Sequence, residues 1–169
     1  TRDPRAGHDR LRHLDVAEAI GRSIDAEGQV RDSVSPVLAE ARAESRRLAG
    51  ELQHRLDTSL HDPEIAPHLS DSFVTVRNDR YVLPVRADAR SRVRGIVHDV
   101  SASGTTLFVE PQAVVDANNR LKEAELRAAR EVTRVLRELS GEVGREAPLL
   151  RASLALLEEL DVAFARGAL

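Results

Sequence analysis

The sequence predicts a mainly α-helical chain with a small antiparallel β insertion, in which two long helices run antiparallel and carry a β-rich tip. Residues 36–62 and 111–141 each show one narrow apolar stripe at helical spacing. Between them the pattern changes to short β-branched runs separated by turn formers. With 169 residues, 41% of them hydrophobic and 31% charged, the chain has enough apolar material for a packed core.

Residues 9–26 place Leu11, Leu14, Ala17, Ile20 and Ile24 at helix-like spacing, and Gly28 supplies a stop. Val30 then lies among turn formers. Ser35 before Pro36 reads as an N-cap with proline at the first helical position, so a long helix starts there. Leu38, Ala41, Leu48, Leu52 and Leu56 form its stripe, with Ser45 filling the gap, while Arg42, Arg46, Arg47 and Arg55 lie off it. The segment LHDPEIAPHLSDS, with its two prolines, ends the helix near Leu60.

From Phe73 onward, FVTV, YVLPV, GIVHDV and TLFVE read as four strands. Asn78 and Asp79 suit a tight hairpin turn, and Pro84 requires an edge or a bulge. Phe73, Tyr81 and Phe108 all fall here, which predicts a small core belonging to the insertion itself. Glu110 and Pro111 open the second long helix, with Ala117, Leu121, Ala124, Ala128, Val132, Val135 and Leu139 on one face and Gly141 near its end. A last helix is expected from Ala147 and Pro148, using Leu150, Leu154, Leu157, Leu160 and Phe164, so that the two chain ends return to one base. At 1.5 Å per residue the long helices measure roughly 36 and 45 Å, and their stripes are most simply buried against each other.

Composition excludes several function classes. Without cysteine there is no disulfide, zinc-thiolate site or thiol nucleophile, and a reducing cytoplasm is the easier fit. No apolar run is long enough to span a bilayer, so no membrane partner is expected, and the charged N-terminus lacks the apolar segment of a signal peptide. The absence of methionine and the opening Thr1-Arg2-Asp3 point to a piece excised from a longer protein. Three Phe and one Tyr are too few for a base-stacking platform.

The strongest charge feature is residues 77–94, where Arg77, Arg80, Arg86, Arg90, Arg92 and Arg94 face only Asp79 and Asp88, a local net of +4 in a chain of formal net charge −3. Guanidinium forks take phosphate oxygens bidentately and release condensed counterions, so these six are the candidate contacts to a nucleic-acid backbone. The alternative is an edge strand guarded by charge. The run HDVSASGTT offers Ser101, Ser103, Gly104, Thr105 and Thr106, whose hydroxyls and amides can cradle an anion or simply close a hairpin.

His98, Asp99 and Ser101 are not expected to form a hydrolytic triad. Alternation sends the first two to opposite faces, and no strand-turn-helix elbow carries the serine. The six histidines show no metal-binding spacing, and no metal site is expected. Lys122, the sole lysine, follows no glycine-rich loop, so the chain alone is not expected to hydrolyse ATP.

Two stretches, IDAEGQVRDSVSP at 24–36 and RYVLPVRADARSRVRGIVHDVSASGTTLFVEPQAVVDANN at 80–119, closely resemble the MutS type-two family, bacterial MutS paralogues linked to recombination control and ribosome-associated quality control. The resemblance implies that 1–35 is part of a MutS-like core, 36–62 the first lever helix, 63–110 a clamp-like tip, 111–141 the second lever helix and 142–169 a return helix of the core. It implies a non-catalytic lever and clamp region that binds duplex or branched DNA, or ribosomal RNA on the ribosome, by backbone contacts. In the family this region is coupled to a dimeric ATPase using ATP and Mg and to an Smr-type endonuclease domain, both expected to lie outside this chain. No cofactor and no catalytic residue is therefore expected within it, and mismatch specificity is not implied. His98, Asp99, Ser101, Ser103 and Gly104 are expected to hold the clamp fold together rather than to touch a ligand. The competing class is a helical dimerisation or scaffold module whose arginines are solvated surface.

Overall fold

The computed structural model describes residues 15–167. The described residues divide into two compact units, one within 15–36 and 130–167 and the other formed by 37–129. The elements follow the expected class, mainly helical with one four-stranded antiparallel sheet. They are helix α1, described over 15–23, α2 (Pro36–Leu60), β1 (Thr75–Arg77), β2 (Arg80–Arg86), β3 (Gly95–Val100), β4 (Thr106–Pro111) and α3 (Val115–Gly167). Leu11 and Leu14 of the predicted first helix lie outside the described residues.

In the first unit, α1 ends in a tight reversal. The Asp25 carboxylate accepts hydrogen bonds from the amides of Glu27 and Gln29, and Ile24 bridges Val30. Val30, expected among turn formers, is instead buried. The Ser35 hydroxyl, also buried, donates to Glu131 on α3 at 2.5 Å. Hydrogen bonds from Arg134 and Ser35 pull the Glu131 carboxyl down from 4.5 to about 2.

The second long helix differs from expectation at both ends. Strand β4 continues through Pro111, one 3-10 turn follows over Gln112–Val114, and the helix begins at Val115. It then continues to Gly167 with Pro148 inside it, where a stop at Gly141 and a fresh start at Ala147 were expected. Proline inside a helix clashes with the carbonyl four residues earlier. Here that residue is Gly144, whose lack of a side chain lets the backbone yield. Leu150, Leu154, Leu157, Leu160 and Phe164 are exposed along this helix.

The second unit holds the sheet, in the order β1-β2-β4-β3. Asn78 and Asp79 both have positive φ, +49° and +60°, the signature of a type I′ hairpin between β1 and β2. Pro84 sits inside β2, opposite Phe108 of β4. On the other side β1 pairing stops at Thr75↔Val82, and Ser70 reaches in, its amide donating to the Pro84 carbonyl at 2.9 Å. The missing proline donor is thus placed where the ladder has already ended, as an edge position would be.

One face of the insertion shares its core with the helices. Leu83, Val85 and Val109 of the sheet join Leu48, Leu52 and Leu56 of α2, Val114, and Leu121 of α3 in one buried cluster. The expected aromatic core is only partly present: Phe108 is buried and Tyr81 packs against the cluster, but Phe73 precedes β1 and is 43% exposed. Glu44 of α2 meets Arg120 and Arg127 of α3, so the two helices pair by charge as well as by stripe within this unit.

Alternation puts Val82, Pro84, Phe108 and Glu110 on the opposite face of the sheet, and they are buried as well. The β1–β2 hairpin reaches over the Phe108 end of this face. The Arg77 guanidinium lies 4.3 Å over the Phe108 ring, and the Asn78 amide donates to the His98 carbonyl of β3 at 2.7 Å. Gly95 starts β3 where a Cβ would lie 2.0 Å from the Glu110 carbonyl oxygen.

Two outcomes follow. Gly95→Ala is expected to lower the unfolding free energy by about 3 kcal/mol in urea denaturation, because the Glu110 backbone, with the Val109 side chain beside it, stands in the way of the new carbon. The Glu131 contribution is present above pH 4.5 and is lost as pH falls through about 2. The stability gap between the native chain and Glu131→Gln in urea melts is therefore expected to hold at pH 6 and to close towards pH 2.

Candidate nucleic-acid interface

The arginine-rich segment does not form one uniform cationic surface. Arg77 lies over Phe108, and its Nε is 3.4 Å from Asp99. Arg80 donates from Nη1 to Asn119 at 2.7 Å and approaches Glu110 at 3.5 Å. Arg86 holds Asp88 bidentately at 3.0 and 2.9 Å, which raises the arginine and lowers the carboxyl from their ordinary values. Arg90 folds back on its own chain, donating to the carbonyls of Val93 and Gly95 at 2.9 and 2.8 Å. Its guanidinium thus clamps the turn that leads into β3.

Arg92 and Arg94 are different. Both are exposed, and among the described residues neither has a carboxylate partner. They flank buried Val93, which anchors the segment in the core. The register separates them from Arg86. Arg86 pairs with Thr106 where β4 begins, whereas Gly95, next to Arg94, pairs with Pro111 where β4 ends. Five strand steps put these two ends about 17 Å apart.

A buried carboxylate organises the remaining polar groups. Glu110, 1% exposed, accepts from Arg80 on one oxygen, and its other oxygen lies 2.6 Å from His98 Nε2. Beside it the buried Asn118 side chain takes the Tyr81 amide at 3.1 Å and donates to the Tyr81 carbonyl at 3.2 Å, docking the first turn of α3 on β2. Lys122 adds a 2.7 Å bond to Asp79 at the hairpin, which lowers the Asp79 carboxyl and raises the lysine. The sole lysine is thus tied to a hairpin and stands in no phosphate-binding loop.

The sequence reading missed Glu110, Asn118 and Asn119 as site-forming residues. The available signal was alternation: with Leu107 and Val109 turned to the core, Glu110 had to share the opposite face with Phe108 and Arg80.

His98 and Asp99 do not lie on opposite faces as alternation predicts. The β3–β4 register skips between Val97 and Asp99, a bulge at His98 that turns both side chains to the Phe108 and Glu110 side. Their partners remain separate, Glu110 for one and Arg77 for the other. The Ser101 hydroxyl meets Ser103 and the Thr106 amide instead. These motif residues make hydrogen bonds and ion pairs within the β fold, and Gly104 shapes their loop with φ +72°.

A helical pair closed by a curled four-stranded sheet, with the sheet docked by a buried Glu–Asn network, defines the class of this chain. Comparison with known proteins gives the family. The chain is 43% identical over 152 residues to the endonuclease MutS2 of Geobacillus thermodenitrificans, covering 90% of this chain and 19% of that protein. It is 45% identical over 153 residues to the endonuclease MutS2 of Halalkalibacterium halodurans, 90% of this chain and 20% of that protein. The putative endonuclease MutS2 of Bacillus subtilis is 41% identical over 153 residues, with the same coverage. No family model matches the chain. The chain belongs to the MutS2 family as a segment, spanning about a fifth of the length of the curated relatives it matches.

The division of the polar groups is testable by stability. Asn118→Ala leaves a buried amide and carbonyl of Tyr81 without partners and is expected to cost about 2 kcal/mol. Arg92→Ala and Arg94→Ala are expected to stay within about 0.5 kcal/mol of the native chain in the same denaturation assay.

Proposed function

We propose that this segment is a non-catalytic lever and clamp region of a longer MutS2 protein, gripping the nucleic-acid backbone and coupling that contact to an ATPase elsewhere in the same protein. The observation that carries the reading is the pair Arg92 and Arg94, exposed and without carboxylate partners on a turn anchored by Val93 and Arg90. Guanidinium groups held this way meet phosphate oxygens without first breaking an ion pair. Arg77, Arg80 and Arg90 act in this reading as supports, and Arg86 as a group that an anion can recruit.

DNA, duplex or branched, is the proposed ligand, and structured ribosomal RNA shares the chemistry that the arginines recognise. The names of the relatives support a parent that acts on nucleic acid as an endonuclease. Recombination control or ribosome quality control, a cytoplasmic location and homodimerisation belong to that whole protein in this proposal. So does ATP with Mg, since the residues here offer no glycine-rich phosphate loop before Lys122. Among the described residues no helix is long and apolar enough to cross a membrane.

A second reading, a helical dimerisation or scaffold module, draws on the exposed apolar residues of α3 from Leu150 to Phe164. Duplex binding measured at several salt concentrations separates the two. Backbone gripping predicts a steep loss of affinity with salt. Arg92→Ala with Arg94→Ala is expected to weaken binding about tenfold and to reduce the logarithmic salt slope by about 1.8. Affinity indifferent to both salt and the double substitution overturns the backbone reading and favours the scaffold.

A further inference from the structure

The far end of the sheet from Arg94 carries a second feature that the arginine count alone does not describe. An open cleft there is lined by Ser70, Arg86, Asp88, Gly104, Thr105 and Thr106. Its floor is pinned, because the Ala87 amide donates to the Thr105 carbonyl at 2.9 Å and the Gly104 amide to the Ser101 carbonyl at 2.8 Å. Gly104 has no atom within 4 Å of where a Cβ would stand, so the mouth of the cleft is clear at this residue.

In loop 101–106, which supplies Gly104, Thr105 and Thr106 to the cleft, the hydroxyl donors outnumber their protein acceptors among the described residues. Ser101, Ser103 and Thr105 form a chain of hydroxyls at 3.3 and 2.7 Å, while the Ser101 oxygen also accepts the Thr106 amide. Three hydroxyls joined by two mutual bonds leave one O–H of the chain without an acceptor among the described residues. Thr106 donates its own hydroxyl to Ser70 at 3.1 Å. Arg86 uses Nε and Nη2 on Asp88, so its second edge, built on Nη1, stays open. The arginine side chain is 51% exposed, and its partner Asp88 is 70% exposed. Asp88 thus holds the guanidinium plane in place from outside.

We propose that this cleft is an oxyanion site that takes a phosphate group between the open edge of Arg86 and the hydroxyl-rich loop 101–106. Its assignment to a phosphate of a nucleic-acid strand rests on the backbone reading above. The anion chemistry itself does not, since a free phosphate presents the same oxygens to the same donors. Among the described residues, Asp88 is the only carboxylate lining the cleft. It sets a ceiling on affinity by repelling the incoming charge while it orients the arginine.

The test is an NMR titration of the 15N-labelled 169-residue chain with inorganic phosphate at constant ionic strength, following the Gly104 and Thr105 amides and the Arg86 Nε–H. Saturable shifts confined to the cleft, in the millimolar range, are expected. Arg86→Gln is expected to weaken binding about tenfold and Asp88→Asn to strengthen it about threefold. Both residues are exposed, and Asp88→Asn keeps the number of heavy atoms, so the two opposite shifts cannot both arise from misfolding. Shifts that rise linearly with phosphate, or that are the same in both variants, overturn the site. Dimethyl phosphate distinguishes the source. Competition at the cleft by this diester supports a strand phosphate, and binding of inorganic phosphate alone supports the site with a free or terminal phosphate as its ligand. Arg92→Ala with Arg94→Ala is expected to leave the phosphate shifts unchanged, so failure of duplex binding and failure of this site read out separately.

Discussion

The carboxylate of Glu110 stands in the interior of the curled sheet, and the polar architecture of the second unit depends on how it is paired. An isolated ionised carboxyl at 1% exposure carries a desolvation penalty of several kcal/mol. His98 and Arg80 supply the compensating contacts, one to each oxygen. Those two residues come from β3 and β2, on either side of β4, which carries the acid. One side chain therefore fixes three strands relative to one another. Asn118 extends the same arrangement to α3 by closing two hydrogen bonds on the Tyr81 backbone. Because breaking such a buried set leaves polar groups unpaired, it specifies the docking of sheet on helix more sharply than apolar packing alone does.

This constraint reshapes the reading of surface charge. Six arginines within eighteen residues suggest one cationic patch, yet Arg80 faces the buried acid, Arg77 lids an aromatic ring and Arg90 ties a turn. What remains for a ligand is divided between the two ends of the sheet: unpaired Arg92 and Arg94 at one, and Arg86 with its hydroxyl loop at the other. In the proposed reading, separation of cationic groups by about 17 Å suits contact with well-separated phosphates along a polyanion. Arginine, with its fork of five donors, suits both the structural role seen at Arg80 and Arg90 and the ligand-binding role proposed for Arg86, Arg92 and Arg94.

Much of this was legible in the sequence. Strand positions, the Asn78-Asp79 turn and the apolar stripe of α2 follow from β-branched runs, turn chemistry and helical spacing, each of which is a local signal. The MutS2 resemblance was carried by residues 80–119, and it held. Three features were not legible. Gly141 and Pro148 are local breakers, yet the long helix runs through both, since flanking helix formers outweigh one missing hydrogen bond and Gly144 relieves the proline clash. The bulge at His98 reverses the alternation used to separate it from Asp99, and a one-residue insertion in register leaves no mark in composition. The pairing of the arginines depends on Glu110, Asp99 and Asn119, which lie 30, 22 and 39 positions from the arginines they meet and fall outside any local charge count.

The central claim is that Glu110 and Arg80 act together as structure, and a double-mutant cycle tests it most directly. Urea unfolding of Arg80→Ala, Glu110→Ala and the double variant is expected to show a coupling of about 1 kcal/mol or more, the double variant losing less than the two single losses combined. Additive losses would contradict the pairing and return Arg80 to the set of free surface cations.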